Sequence, residues 1–173
     1  MKTRLISLIS VLVLIFSFAF ENYESELKQI FQTEDIDVKI FILKIEQVKE
    51  IEKLSGVSCN FRFVSFYIAK KKEKIIGYGY IDTHIIRGHP EIVLYAINPS
   101  GEIEHIRILH SEEPPEHSID EKWLRIFKGK SIEKDQIRLR KDIPNITGAT
   151  LSAKAITDNA RKVLAIWKIL FGK

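Results

Sequence analysis

A chain of 173 residues with 45% hydrophobic and 29% charged side chains is long enough to bury one substantial core and too apolar to stay disordered. Its formal charge is +4, and setting aside Lys2 and Arg4 leaves 25 basic side chains against 23 acidic ones. That balance is too even to argue for a nucleic-acid binder, which shows a concentrated basic face. A single cysteine, Cys59, permits neither an internal disulfide nor a multi-cysteine metal site, and reads as a small buried hydrophobe.

The chain opens as an address. Lys2 and Arg4 precede an apolar run from Leu5 to Phe20, broken only by Ser7, Ser10 and Ser17, which is the positive-then-apolar order of a secretory signal. Ser17-Phe18-Ala19 sets small residues where a signal peptidase inspects the chain. Residues 1–19 are therefore a signal peptide or an uncleaved N-terminal anchor, and either outcome puts the body of the protein outside the cytoplasmic membrane, in the periplasm or on the membrane's outer face.

Tyr23, Leu27, Ile30 and Phe31 recur at helical spacing and predict a short amphipathic helix over 21–31. Alternation then takes over from Asp35 to Leu43, with Ile36, Val38, Ile40 and Ile42 on one side of a strand. Helical period returns at Ile45, Val48, Ile51 and Leu54 and stops at Ser55-Gly56, where glycine suits a helix end.

The aromatic and β-branched stretch Phe61 to Ala69 predicts a strand that ends in the turn Lys70-Lys71-Lys72-Glu73-Lys74. That dense basic patch is a solvated hairpin turn. Ile75 to Ile85 resumes as a strand whose Gly77 and Gly79 favour a close backbone approach or a bulge. Tyr67, Tyr78 and Tyr80 could form a stacking surface, but sheet packing is the commoner use of such rings. Glu91 to Ile97, the turn Asn98-Pro99-Ser100-Gly101 and Glu102 to Leu109 make a second hairpin. Ser118 and Asp120 can cap a helix containing Ile119, Trp123, Leu124, Ile126 and Phe127, which leads into Lys128-Gly129-Lys130.

Near the C-terminus Thr147-Gly148-Ala149-Thr150-Leu151-Ser152 runs into a helix carrying Ile156, Ala160, Val163, Leu164, Trp167, Leu170 and Phe171 at the 3.6 period. Gly148 and Ala149 leave the backbone before Thr150 uncrowded, and a helix start offers unpaired N–H groups and the positive end of the macrodipole. A phosphate beside Thr150 would be stabilised there. An ordinary turn and helix cap would use the same residues.

Thr147-Gly148-Ala149-Thr150, followed by Leu151-Ser152, resembles the attachment motif of the FMN-binding domain family, which includes the flavoprotein subunits of the sodium-pumping NADH:quinone reductase and of the Rnf-type complex. The resemblance implies that a flavin transferase, using FAD and a divalent metal ion, joins FMN by a phosphoester to the hydroxyl of Thr150. It implies a cofactor-binding set of Thr147, Gly148, Ala149, Thr150, Leu151 and Ser152, with Ser152 a cap or a second acceptor. His110-Ser111-Glu112-Glu113-Pro114 is similar to the family's His-x-Glu-Thr-Pro-Gly loop, which puts His110 and Glu112 beside the flavin, although Pro115 stands where the family has glycine. Phe127-Lys128-Gly129-Lys130 matches a Phe-x-Gly-Lys phrase of the family. Pro144 occupies the position of an acid that many members carry three residues before the motif, and Asp142 is the nearest carboxylate, either a substitute or a turn residue.

These observations predict an α+β protein: an antiparallel sheet of two hairpins packed by helices, with a C-terminal helix after the attachment turn. Residues 20–44 form an N-terminal extension and 45–173 the FMN-binding domain. The resemblance implies an exported electron carrier that relays electrons between membrane or periplasmic redox partners and need not be an enzyme in its own right. The alternative is an exported accessory or binding domain that keeps the fold without covalent flavin. The five histidines form no i,i+4 pair on a helix, so no metal site is expected.

Overall fold

A computed structural model of the chain describes residues 23–172, so the expected signal peptide or anchor over 1–19 and the expected start of the first helix at Glu21 lie outside the described residues. Helix α1 occupies residues 23–31. Strand β1 (Asp35–Ile42) and helix α2 (Ile45–Ser55) follow, then β2 (Phe63–Lys71), β3 (Lys74–Ile86), β4 (His89–Ile97) and β5 (Ile103–Ser111). A short helix α3 (Glu121–Leu124) and the long α4 (Thr150–Phe171) complete the α+β architecture.

The five strands form one antiparallel sheet in the order β1-β2-β3-β4-β5. The two hairpins read in the sequence are joined into one meander, and β1 adds a fifth strand at its edge. The missing link is the turn Arg87-Gly88, tight enough to pair Ile86 with His89. Positive φ values of 50° at Lys72 and 63° at Glu73 turn the chain between β2 and β3. The β4–β5 turn is held by Asn98, whose Oδ1 accepts from the amides of Ser100 and Glu102 at 2.9 and 3.1 Å.

Strand alternation gives the sheet two apolar faces, each with its own cover. The inner face carries Phe66, Tyr78, Tyr80, Val93, Tyr95, Ile97, Ile103 and Ile106, and α4 lays Ile156, Ala160, Val163 and Trp167 into the same buried cluster. The outer face carries Tyr67 and Leu94, which cluster with Leu27 of α1. Gly77 and Gly79 admit that helix: a Cβ at Gly77 would come within 2.0 Å of the Phe31 ring, and one at Gly79 within 2.5 Å of the Leu27 side chain. The three tyrosines are thus divided between opposite faces and pack the sheet, with no shared stacking surface.

Strand β1 does hold Ile36, Val38, Ile40 and Ile42 on one side, aligned with Ala69, Tyr67, Ser65 and Phe63 of β2. Only Ile36 packs against the α1 cluster. Ile40 and Phe63 are 72% and 70% exposed, because α1 covers part of the outer face and leaves the far end of these strands bare.

Helix α2 ends as expected at Gly56 and packs beside α4. Arg161 of α4, 7% exposed, fastens three segments: Nε donates to Ser55 O at 2.8 Å, Nη1 to Ile137 O at 2.6 Å and Nη2 to Asp158 Oδ1 at 2.7 Å. Cys59 is buried, and burial pushes its thiol pKa up. Among the described residues no helix is long and apolar enough to cross a membrane, and no cluster of His, Cys, Asp and Glu could hold a metal ion.

Candidate functional site

The site is built where the irregular segment after β5 meets the start of α4. Phe127-Lys128-Gly129-Lys130 anchors that segment to β5, with the Ile103 amide donating to Lys130 O at 2.9 Å and the Gly129 amide to Ile103 O at 2.8 Å. Lys130 then faces Asp135 and Asp142 at 3.2 and 3.4 Å. Asp142 is a turn residue, accepting from the amides of Ile137 at 2.9 Å and Arg138 at 2.8 Å. Burial pushes its carboxyl pKa up, but those amides and Lys130 outweigh burial and hold it below the usual range. The indole of Trp123 donates to Pro144 O at 2.8 Å, so the proline at the family's acidic position serves as an anchor through its carbonyl.

The motif itself is a tight bend. Gly148 adopts φ +88° and a Cβ there would stand 3.3 Å from Glu116 O, so both conformation and space favour glycine. His117 Nδ1–H donates to Gly148 O at 2.8 Å, tying the bend to the 3₁₀ turn Pro115–His117. Thr147 and Gly148 are exposed, Ala149 is buried and Leu151 is 50% exposed.

Thr150 is the first residue of α4 and does not cap it. The cap position falls on Ala149, which offers no side-chain acceptor, and the first turn contains no acidic residue. By helix geometry the first-turn amides have no intrahelical acceptor, so the positive end of a 22-residue helix is left uncompensated by a capping oxygen. The half-buried Thr150 hydroxyl donates to Ile146 O at 3.3 Å and accepts from Asn145 Nδ2 at 3.2 Å, while Asn145 Oδ1 is buried without a partner. An uncapped helix start and an oriented hydroxyl are together suited to holding a phosphate ester.

Ser152 is buried and points elsewhere, donating to Glu113 Oε2 at 2.8 Å. Glu113 Oε2 also receives Arg87 Nη1 at 2.7 Å, so the β3–β4 turn, the loop after β5 and α4 meet on one carboxylate. Sequence reasoning drew attention to the neighbouring Glu112 and His110. Those two lie on the exposed side of the loop, their side chains 56% and 52% exposed and 3.5 Å apart. Nothing in the sequence marks Glu113 over Glu112 except the departure from the family's threonine, and Asn145 carries no signal at all.

A second polar cluster lies further along α4. His84 Nδ1 donates to Asp82 Oδ2 at 2.7 Å and His84 Nε2 stands 3.2 Å from Glu91 Oε2, an ion-pair contact without hydrogen-bond alignment. Asn159 Nδ2 reaches Asp82 Oδ2 at 2.7 Å and Lys162 Nζ lies 4.0 Å from Asp82 Oδ1. Burial works against the charge on His84, but Asp82 and Glu91 outweigh it and lift its pKa to about 9.

Fold and site together give an α+β domain with an uncapped helix start that presents one hydroxyl. Residues 88–165 match the family model described as the FMN-binding domain. The matched stretch runs from the β3–β4 turn to the middle of α4 and takes in the Glu113 loop, the Phe-x-Gly-Lys phrase and the bend before Thr150. Over these residues the chain is similar to the FMN-binding domain, a likeness that supports a flavin-binding role. No curated protein matches the chain.

Proposed function

We propose that this protein is an exported flavoprotein electron carrier with FMN joined through a phosphoester to Thr150. The observation that carries the reading is the uncapped start of α4 with Thr150 at its first position, inside the stretch matched by the FMN-binding domain model. A capping serine or aspartate would compete for the same amides, and none is present. The half-buried hydroxyl keeps its oxygen fixed by Asn145 and Ile146.

The bond would be made by a separate flavin transferase with FAD as donor and a divalent metal ion. The Thr150 oxygen forms a new O–P bond to the FMN phosphate, the phosphoanhydride bond of FAD breaks, and AMP leaves as the hydroxyl proton passes to a base of the transferase. First-turn amides of α4 would then face the ester's charge, and Gly148 supplies the positive φ that sets the bend before them. The isoalloxazine supplies one- and two-electron chemistry, while the protein sets its position and exposure.

A covalent tether fits the leader segment at residues 1–19, since a flavin merely bound outside the cytoplasm would be lost by dilution. The partners on this reading are a membrane-bound or periplasmic electron donor and acceptor. The test is co-expression of the full chain with an active flavin transferase, then denaturing electrophoresis under ultraviolet light and intact-mass measurement. One FMN less one water on the wild type, and none on T150A, is the expected result. A colourless wild type with an unmodified peptide spanning position 150 overturns it.

A further inference from the structure

We propose that β1 is a docking edge for a second copy of this chain, the two β1 strands pairing antiparallel about a two-fold axis at Val38. Among the described residues no strand lies beyond β1, so it forms one free edge of the sheet. Such an edge offers unpaired N–H and C=O groups to any strand that can match them.

The phase of β1 decides which residues make the offer. The Leu43 amide donates to Arg62 O at 2.7 Å, and the same register continues from Ile42 opposite Phe63 to Asp35 opposite Lys70. Hydrogen-bonded and non-bonded pairs alternate along an antiparallel ladder. Phe41, Lys39 and Asp37 therefore turn their backbone groups toward β2, and Ile36, Val38, Ile40 and Ile42 turn theirs outward. The strand contains no proline, and Val38 and Ile40 are 39% and 72% exposed.

Charge then selects one register. Pairing through the outward groups sets isoleucine or valine opposite isoleucine or valine, and Asp35, Asp37 and Lys39 meet their counterparts on the inner side. A two-fold centred on Lys39 faces lysine with lysine, and one centred on Asp37 faces aspartate with aspartate. Centred on Ile36, it brings Asp35 against Asp37; centred on Ile40, it sets Lys39 against Phe41. Like charges directly opposite one another destabilise a sheet, and opposite charges stabilise it. Only the two-fold at Val38 places Asp37 opposite Lys39 of the second copy, and symmetry makes that pair twice. Lys39 is exposed, and the Asp37 side chain is 49% exposed although it also meets Lys70.

The same register serves the bare apolar end of the strand. Ile40 of each copy comes opposite Ile36 of the other, the residue of this row that packs against the α1 cluster. The end left uncovered within one chain is thus set beside the covered end of its neighbour. Thr150 takes no part, so the interface stands or falls independently of the flavin reading.

Two charge reversals test the register. D37K faces lysine with lysine across the edge and K39D faces aspartate with aspartate, whereas a D37K copy beside a K39D copy regains both ion pairs. Sedimentation equilibrium of the full chain in a density-matched non-ionic detergent gives the dimer dissociation constant. The expected result is a wild-type dimer, self-association about ten-fold weaker for each variant alone, as two cross-strand pairs swing from attraction to repulsion, and wild-type affinity in the equimolar mixture. Recovery in the mixture also certifies that both variants are folded. A monomeric wild type overturns the proposal. So does a dimer indifferent to both substitutions, which association through the apolar run at 5–20 would give, and so does a mixture no tighter than its components.

Discussion

Asn145 Nδ2 and Thr150 Oγ1 are 3.2 Å apart, and the same hydroxyl reaches back to Ile146 O, so the Thr150 side chain is held from two directions by the residues that precede α4. On the proposed function Asn145 is a positioning residue. N145A should slow FMN transfer to Thr150 about ten-fold, the loss expected for one neutral hydrogen bond, while T150A abolishes it. A time course by intact mass gives the rate, and a thermal melt shows whether N145A keeps its fold. Equal rates for wild type and N145A would remove Asn145 from the account and leave Thr150 in it.

Ser152 provides the contrast. Its hydroxyl is committed to Glu113 and buried, so S152A should carry FMN to the same extent as wild type. A modified peptide that loses its flavin in S152A would instead assign the ester to the second hydroxyl.

Glu113 joins three segments through one carboxylate, and its side chain is 1% exposed. E113A leaves Arg87 and Ser152 without their shared acceptor and should destabilise the protein by roughly 2–4 kcal/mol. E112A, altering a half-exposed neighbour, should change stability by under about 0.5 kcal/mol. Urea unfolding of the two variants side by side tests the difference, and equal midpoints would contradict the assignment of Glu113 as the buried tie.

His84 carries a pH prediction. Its pKa is about 9 in the folded chain against an ordinary value of 6.5. Protonation is therefore favoured by folding, and the stabilisation is complete below pH 6.5 and disappears as pH rises toward 9. Melting temperature should fall across that interval in the wild type and fall less steeply in H84Q. Parallel pH profiles for the two would show that His84 is not the titrating group.

Much of the fold is legible in the sequence because periodicity reports burial. The helix ending at Gly56, the long C-terminal helix and the Asn98–Gly101 turn all appear where pattern and turn chemistry put them. Gly77 and Gly79 likewise announce a close approach, although only the structure shows that Phe31 and Leu27 make it. Period-two alternation cannot say which element covers which face. Tyr67 for that reason looks like a companion of Tyr78 and Tyr80 although it faces the other way, and the row Val38, Ile40, Ile42 looks like core although most of it is bare. At the site, the bend and Thr150 are visible as a motif. Asn145, Glu113 and Arg87 are not, because their roles come from contacts across 5, 39 and 26 residues of chain that no local pattern encodes.

The two sheet glycines supply a stability test. G77A and G79A each place a methyl group into a side chain of α1, and overpacking of this kind costs about 1–3 kcal/mol. Proteolysis should then cut within residues 23–31 earlier than in wild type, while the rest of the domain persists. Unchanged cleavage there would mean that α1 is not seated on the glycines.

The order of the chain fixes the order in which its core can close. Every strand pairs with its sequence neighbour, so the sheet can assemble locally as it leaves the ribosome or a translocation pore. The lid over Tyr95 and Ile97, however, is the last helix, and its 22 residues end at Phe171. A chain stopped before Thr150 would keep all five strands and lose the largest cover of its inner surface, leaving α2 and the segment around Trp123 and Phe127. On the proposed function, the threonine that takes the flavin and the helix that closes the interior belong to one segment, so a transferase that recognises the finished bend would meet molecules whose core is already shut.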